Sequence, residues 1–262
     1  MRSMAKLFVP CLIGVASLAL AAPVVHAQVG AAKIDSTHYW TYKLHQPIYR
    51  PDQVMAKDQF FPLGTPVYID SLTHLVNWVY KNNSTVRDTF IHYTWWNIIN
   101  KQPVNKPVVV SNQFGTFNSI VENLEFMLVP AWKNQPQPGF PYANHYLCYR
   151  AHGPSPNKDY FLRDEWRNDI QFPYPMEFLC APCLKNHNGQ IFPPVDTLTH
   201  LAVYPIFPTS DLFYPFLMDQ FIAGNFFVQQ TPIEYLLVPS TKTEISTPTR
   251  RTSWGKLKML YK

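Results

Sequence analysis

The chain has 262 residues, with 25 prolines but only 9 glycines, and with aromatic and charged residues at 15% each. Many rings with few charges exclude disorder, which needs low hydrophobicity and high charge, and the prolines exclude an architecture of long helices. Seven of the 22 cations lie in residues 1–27 and 246–262, leaving 15 against 17 acids between them, so the body has no charge excess to suit nucleic acid or calcium.

The chain begins with Arg2 and Lys6, continues through apolar Leu7 to Ala22, and reaches the small residue of Val25-His26-Ala27. That order reads as an export signal, residues 1–27, cleaved after Ala27. The apolar stretch is too short, and too soon followed by Pro23, for a membrane span. A secreted protein with no membrane span after cleavage is therefore expected.

From His38 onward the chain repeats itself. His38-Tyr39-Trp40-Thr41-Tyr42, His92-Tyr93-Thr94-Trp95-Trp96, His145-Tyr146-Leu147-Cys148-Tyr149 and His200-Leu201-Ala202-Val203-Tyr204 stand at intervals of 54, 53 and 55 residues. Each is followed by a polar-polar-aromatic triplet: Asp58-Gln59-Phe60, Asn112-Gln113-Phe114, Asp164-Glu165-Trp166 and Asp219-Gln220-Phe221. Each unit then closes with an apolar run ending on Lys81, Lys133, Lys185 or Lys242. Three landmarks recurring four times mark a duplicated supersecondary unit.

Within a unit the segments read as strands. Val108-Val109-Val110 is β-branched, Gly115-Thr116 is a turn, and Phe126 to Val129 and Tyr235 to Val238 are short apolar runs that a proline should end. Three or four strands per unit are too few to stand alone, so the units must pack on one another. The expected fold is all-β, with the four repeats as two paired sandwich- or barrel-like halves, residues 28–140 and 141–245. The halves would meet at Gln135 to Pro141, a four-bladed propeller being the alternative. Residues 246–262 form a basic tail outside the repeats.

Cys148 aligns with Thr41, Trp95 and Val203, and Cys180 with Val76, Leu128 and Leu237. Both positions therefore point into a core, and in an exported chain they predict a disulfide bracing the third unit. Cys183 is left free or intermolecular. Cys180-Ala181-Pro182-Cys183 has redox-motif spacing but lacks the helix that would lower its thiol pKa.

The four histidines could meet on one metal ion only if the units converged on an axis; the expectation is that each satisfies a neighbouring backbone carbonyl, with no metal and no cofactor. The triplets could supply the paired carboxylates of a glycosidase, yet Asn112 replaces the acid in repeat two. A side chain bonding the backbone of its own turn explains Asp and Asn equally. The surplus of rings is the best case for binding, with Tyr80 and Trp132, each just before a closing lysine, as candidates.

The patterns His-Tyr-x-Cys-Tyr at His145–Tyr149, Asn-Gln-Phe-Gly at Asn112–Gly115 and Leu-Cys-x-Pro-x-x-Lys at Leu179–Lys185 resemble a family of uncharacterised bacterial secreted proteins built from tandem β repeats. The resemblance implies a location and a β fold, not a reaction, and three repeats here lack the cysteine pair. The function expected is that of a non-enzymatic structural or adhesive protein of the cell surface. Its partners would be other copies of itself or a cell-surface polymer, and the rival reading is a carbohydrate-binding module.

Overall fold

The computed structural model describes residues 36–82, 86, 89–134, 138–207, 215–225 and 233–245; the expected export signal, the basic tail and Gln135 to Gln137 of the expected junction lie outside them. Among the described residues there is no helix. Repeat one forms β1 (His38–Lys57) and β2 (Thr65–Lys81), and repeat two forms β3 (His92–Ile98), β4 (Pro103–Asn112) and β5 (Gly115–Lys133). Repeat three forms β6 (His145–Ala151), β7 (Tyr160–Arg163), β8 (Asn168–Gln171), β9 (Phe178–His187) and β10 (Gln190–Phe192). Repeat four forms β11 (His200–Pro205), β12 (Phe216–Met218), β13 (Ala223–Asn225) and β14 (Ile233–Glu244).

The all-β repeat fold expected from the sequence is what the structure shows, and its units close one ring. Each repeat gives its first strand and its closing strand, which pair antiparallel in the order β1, β2, β3, β5, β6, β9, β11, β14 and back to β1. Repeats two and three, where a junction between halves was expected, are joined by the pairing of β5 with β6. No unit forms a separate blade, because a two-strand share of the ring can satisfy its edges only by pairing with both neighbours.

The continuous apolar runs follow from this closure. Alternate residues of a ring strand face its interior and its exterior, and both faces are covered. The interior holds a cluster of Tyr39, Trp95, Phe126, Tyr146, Cys148, Cys180 and Leu237, with Trp95 stacked on Phe126 at 3.4 Å between ring centroids. The exterior neighbours, among them Trp40, Trp96, Met127, Tyr149, Leu179 and Tyr204, belong to a second cluster shared with the remaining strands.

Those remaining strands are hairpin arms carried between the first and closing strand of each repeat. In repeat one the arm is the outer part of β1 and β2, paired from Asp52↔Ile69 to Ala56↔Thr65; in the others it is β4 with the start of β5, β7 with β8, and β12 with β13. The arms carry period-two burial, as in Val54 and Ala56 or Val108 and Val110, because only one face meets the ring.

The closing strands do not end at their prolines, contrary to the expectation. Tyr93 pairs with Pro130, Tyr146 with Pro182 and Leu201 with Pro239. On the far side of each strand, ring pairing ends two residues earlier, at Leu128, Cys180 and Leu237. The proline thus sits where the ladder needs no N–H. Beyond it the freed edge takes up the arm of the repeat opposite. Tyr80 and Lys81 pair with β7, Trp132 and Lys133 with β12, Leu184 to Asn186 with the arm of β1, and Ser240 to Glu244 with β4.

Cys148 and Cys180 form the expected disulfide inside the ring, and Cys183 is free and buried on the opposite face of β9. With its halves separated by 32 positions in the chain, the bridge should contribute roughly 3.5 kcal/mol in the chain-entropy account. The double variant Cys148→Ala/Cys180→Ala is expected to lose stability of that order in urea unfolding, with the native far-ultraviolet spectrum retained. A loss below about 1 kcal/mol would show that the packed aromatics alone hold the interior.

Candidate functional site

The repeated landmarks meet in four equivalent clusters, each assembled from three or four different repeats. Every triplet forms the tip of an arm. One oxygen of its leading residue caps the tip: Asp58 Oδ1 accepts from the amides of Phe60 and Phe61, Asn112 Oδ1 from Phe114, Asp164 Oδ1 from Trp166 and Arg167, and Asp219 Oδ1 from Phe221 and Ile222. This is the turn bonding that Asp and Asn share.

The other atom of the carboxylate or amide reaches the first strand of the opposite repeat, at the ring residue four positions after its histidine. Tyr149 Oη donates to Asp58 Oδ2 at 2.6 Å, Tyr42 Oη to Asp164 Oδ2 at 2.6 Å, and Trp96 Nε1 to Asp219 Oδ2 at 2.9 Å. In the remaining cluster the roles invert, and Asn112 Nδ2 donates to Tyr204 Oη at 3.0 Å. A phenol can donate or accept and an indole can only donate, so Asn is tolerated opposite Tyr204 while Trp96 requires the aspartate.

The second triplet residue engages the histidine of the preceding repeat, counted around the ring. Gln59 meets His200 Nε2 at 2.6 Å, Gln220 meets His145 Nε2 at 3.1 Å, and Gln113 bonds His38. The third residue lies under that repeat's closing lysine: Lys242 over Phe60 at 4.6 Å, Lys81 over Phe114 at 5.9 Å, Lys133 over Trp166 at 3.9 Å and Lys185 over Phe221 at 4.9 Å. The histidines are therefore held in separate clusters. His200 Nδ1 lies 3.0 Å from the Leu198 carbonyl, the bond expected from the sequence; the glutamine partners were not foreseen. Among the described residues no group of histidines, cysteines and acids could hold a metal ion.

A further contributor follows the lysine. Asn82 N donates to the Phe161 carbonyl and its Oδ1 accepts from Phe161 N, while Asn134 does the same with Phe216. Both asparagines have positive φ, 47° and 61°, which Asn tolerates better than most residues. The recurring Lys-Asn of Lys81-Asn82 and Lys133-Asn134 was the signal for these clamps, whereas Asn186 after Lys185 stays in β9 and accepts from Gly189 N.

Burial sets the protonation of these groups. His38 and His200 are pushed down to about 4, and His92 and His145 fall well below the ordinary value, first by desolvation and then by the adjacent lysines. Desolvation also lowers Lys133 and Lys185 to about 7. Lys185 is wholly buried between the Phe192 and Phe221 rings. Asp58 and Asp219 are raised, again by burial.

The two sequence-named binding residues are half-buried and engaged. Tyr80 lies under the Arg163 guanidinium at 5.1 Å, and Trp132 Nε1 donates to the Gly139 carbonyl at 2.9 Å. Neither lines the cleft floored by Trp95. A cleft of about 450 Å³ lies at the ring end away from the histidines, floored by Trp95, Phe126 and Phe178 and edged by Asp70, Asn97, Lys101 and Glu125. Its floor is the end of the ring interior, and Lys101 pairs with Glu125 at its edge.

A closed ring of duplicated strand pairs, latched by arms reaching across it, defines an all-β repeat protein. Residues 92–239, more than half of the chain, match the family described as a repeat of unknown function (DUF7450). The chain belongs to that family. No curated protein and no solved structure matches it.

Replacing Asp219 by Ala removes the acceptor of two tip amides and leaves Thr94 Oγ1 only the Val129 carbonyl and Trp96 Nε1 only Thr94 Oγ1, each at 3.2 Å. A loss of about 3–5 kcal/mol is expected in urea unfolding, and Asp219→Asn, which keeps the cap, should cost less. Stability should also rise with pH. The unfolded histidines bind protons below about 6.5 while folded His38 and His200 resist until about 4, and an unfolded lysine stays charged to about 10.5 while folded Lys185 releases near 7. The raised aspartates act in the opposite sense at the acid end. Thermal unfolding should therefore move upward from pH 5 to 9, and His200→Gln should flatten the acid part of that slope.

Proposed function

We propose that this is a secreted, non-enzymatic structural or adhesive protein of the cell surface or extracellular matrix, whose partners are other copies of itself. The observation that carries the reading is that the repeated polar landmarks are consumed in latches between repeats. The carboxylates Asp58, Asp164 and Asp219 sit in separate clusters with their oxygens occupied by donors, an arrangement suited to rigidity. The disulfide supports an oxidising compartment, and among the described residues no helix is long and apolar enough to cross a membrane. The likeness to bacterial secreted β-repeat proteins belongs to the same proposal.

Self-association is supported by the surface. Leu63, Tyr142, Tyr49 and Ile170 are exposed by two thirds or more on different arms and loops. Scattered apolar side chains of this size give several weak contacts per molecule. Light scattering of the mature protein should show large species growing with concentration, and a monomer at millimolar concentration would overturn the reading.

The second reading, a carbohydrate-binding module, is favoured by the aromatic-floored cleft rather than by Tyr80 and Trp132. A sugar bound at its mouth would change the fluorescence of the buried Trp95 beneath it, and Trp95→Phe should remove that response. A glycan array without hits would leave self-association alone.

A further inference from the structure

Three of the four latches share one composition, and the fourth departs from it twice. In the clusters of Lys81, Lys185 and Lys242 the middle triplet residue is an amide, Gln113, Gln220 or Gln59. The residue four before the closing lysine, contributed by the repeat that precedes the lysine's own around the ring, is apolar: Val238, Val129 or Ala181. In the cluster of Lys133 the middle residue is Glu165 and the other position is Asn77. Both changes fall around the same lysine.

The geometry there is specific. Lys133 Nζ lies 2.8 Å from Asn77 Oδ1 and pairs with Glu165. Asn77 Nδ2 lies 2.6 Å from Asp164 Oδ2 and 3.2 Å from Glu165 Oε2. Asn77 is fully buried, the Lys133 side chain is 6% exposed, and the Trp166 ring covers the Nζ. Asp164 is fixed in turn by Trp40 Nε1 at 2.7 Å and Tyr42 Oη.

An amine held against a buried carboxamide, with one carboxylate touching both, has the parts for acyl transfer. We propose that Lys133 and Asn77 form an intramolecular isopeptide cross-link. Lys133 Nζ attacks Asn77 Cγ, forming the new C–N bond, and the bond from Cγ to Nδ2 breaks. Glu165 takes one proton from the attacking amine and delivers it to the departing Nδ2, which leaves as ammonia. Asp164 is the positioning residue that holds the amide in plane. No oxidant, metal or co-reactant enters the balance. Burial supplies the reactive form of the amine, lowering Lys133 to about 7. The link spans β3, joining the closing strands of repeats one and two, and holds whether or not the protein self-associates.

The other latches lack a component. The Lys81 cluster carries Asn112 where the others have a carboxylate, and the Lys185 and Lys242 clusters have no carboxamide at the Asn77 position. The cross-link is expected once per chain.

The test is peptide mapping of the folded, purified full chain after denaturation and reduction. The expected result is a branched peptide joining the segments that contain Asn77 and Lys133, lighter than their sum by one ammonia and uncut after Lys133. Peptide mapping is needed beside the intact mass because a chain starting at Gln28 also loses ammonia on cyclising. Separate unmodified peptides, or a branch between Lys133 and Glu165 lighter by one water, would overturn the proposal. Glu165→Gln restores the residue found in the other three repeats and should fold. It is expected to give both peptides unlinked, with a circular dichroism spectrum matching the parent's. A link that forms fully in this variant would remove Glu165 from the mechanism as proposed. Lys133→Arg, which keeps the cation but removes the attacking amine, should also give both peptides unlinked.

Discussion

The structure depends on one constraint: a buried hydrogen-bonding group must find its partner. Each arm carries a carboxylate or amide at its tip, and the tip lies against the outer face of the ring, where water is excluded. One oxygen is used by the tip's own backbone, and the other atom, an oxygen in Asp58, Asp164 and Asp219 and Nδ2 in Asn112, is satisfied by the ring of the opposite repeat. An unmade bond at such a site costs far more than a made one contributes. The four tips therefore fix which face of each ring strand turns outward and how far each arm reaches. Repeat one takes its histidine and lysine partners from repeat four, so the same constraint ties the two ends of the repeat array together.

The latches also resolve the conflict between apolar packing and charge. Four lysines and four histidines are brought close in pairs, and burial pushes the histidines below their ordinary range and brings Lys133 and Lys185 down to about 7. Aromatic faces cover the lysine heads, which suits a cation or a neutral amine alike. This environment stabilises shape, and it also leaves one amine beside an amide where the repeat pattern is broken. Structural rigidity and latent reactivity have the same origin.

The exchange of arms between opposite repeats explains why a chain with modest strands needs no helix to close its core. A closing strand pairs with its ring neighbours up to one residue and with an arm beyond the proline. Its edge is thus covered along its length without a second layer of helices.

Much of this was legible in the residues. The period gave the unit, the runs gave the strands, and the alignment of Cys148 and Cys180 with apolar positions placed both sulfurs in a core. The tip-capping role of Asp and Asn followed from turn chemistry. What sequence reasoning missed shares one physical cause. His38, Gln113, Lys81 and Tyr204 are remote in the chain, and only pairing around a ring brings them together. Pro130 and Pro239 looked like strand ends, because a proline's missing N–H is harmless only if the far-side neighbour has already left. Tyr80 and Trp132 looked like free rings until Arg163 and Gly139 were placed beside them. The sequence by itself determined the building block, its apolar faces and its disulfide, since these are local or repeat-periodic properties. Tertiary structure alone decided that the copies close a single ring and that each arm docks on the repeat opposite, because those choices rest on which distant donors a buried oxygen can reach.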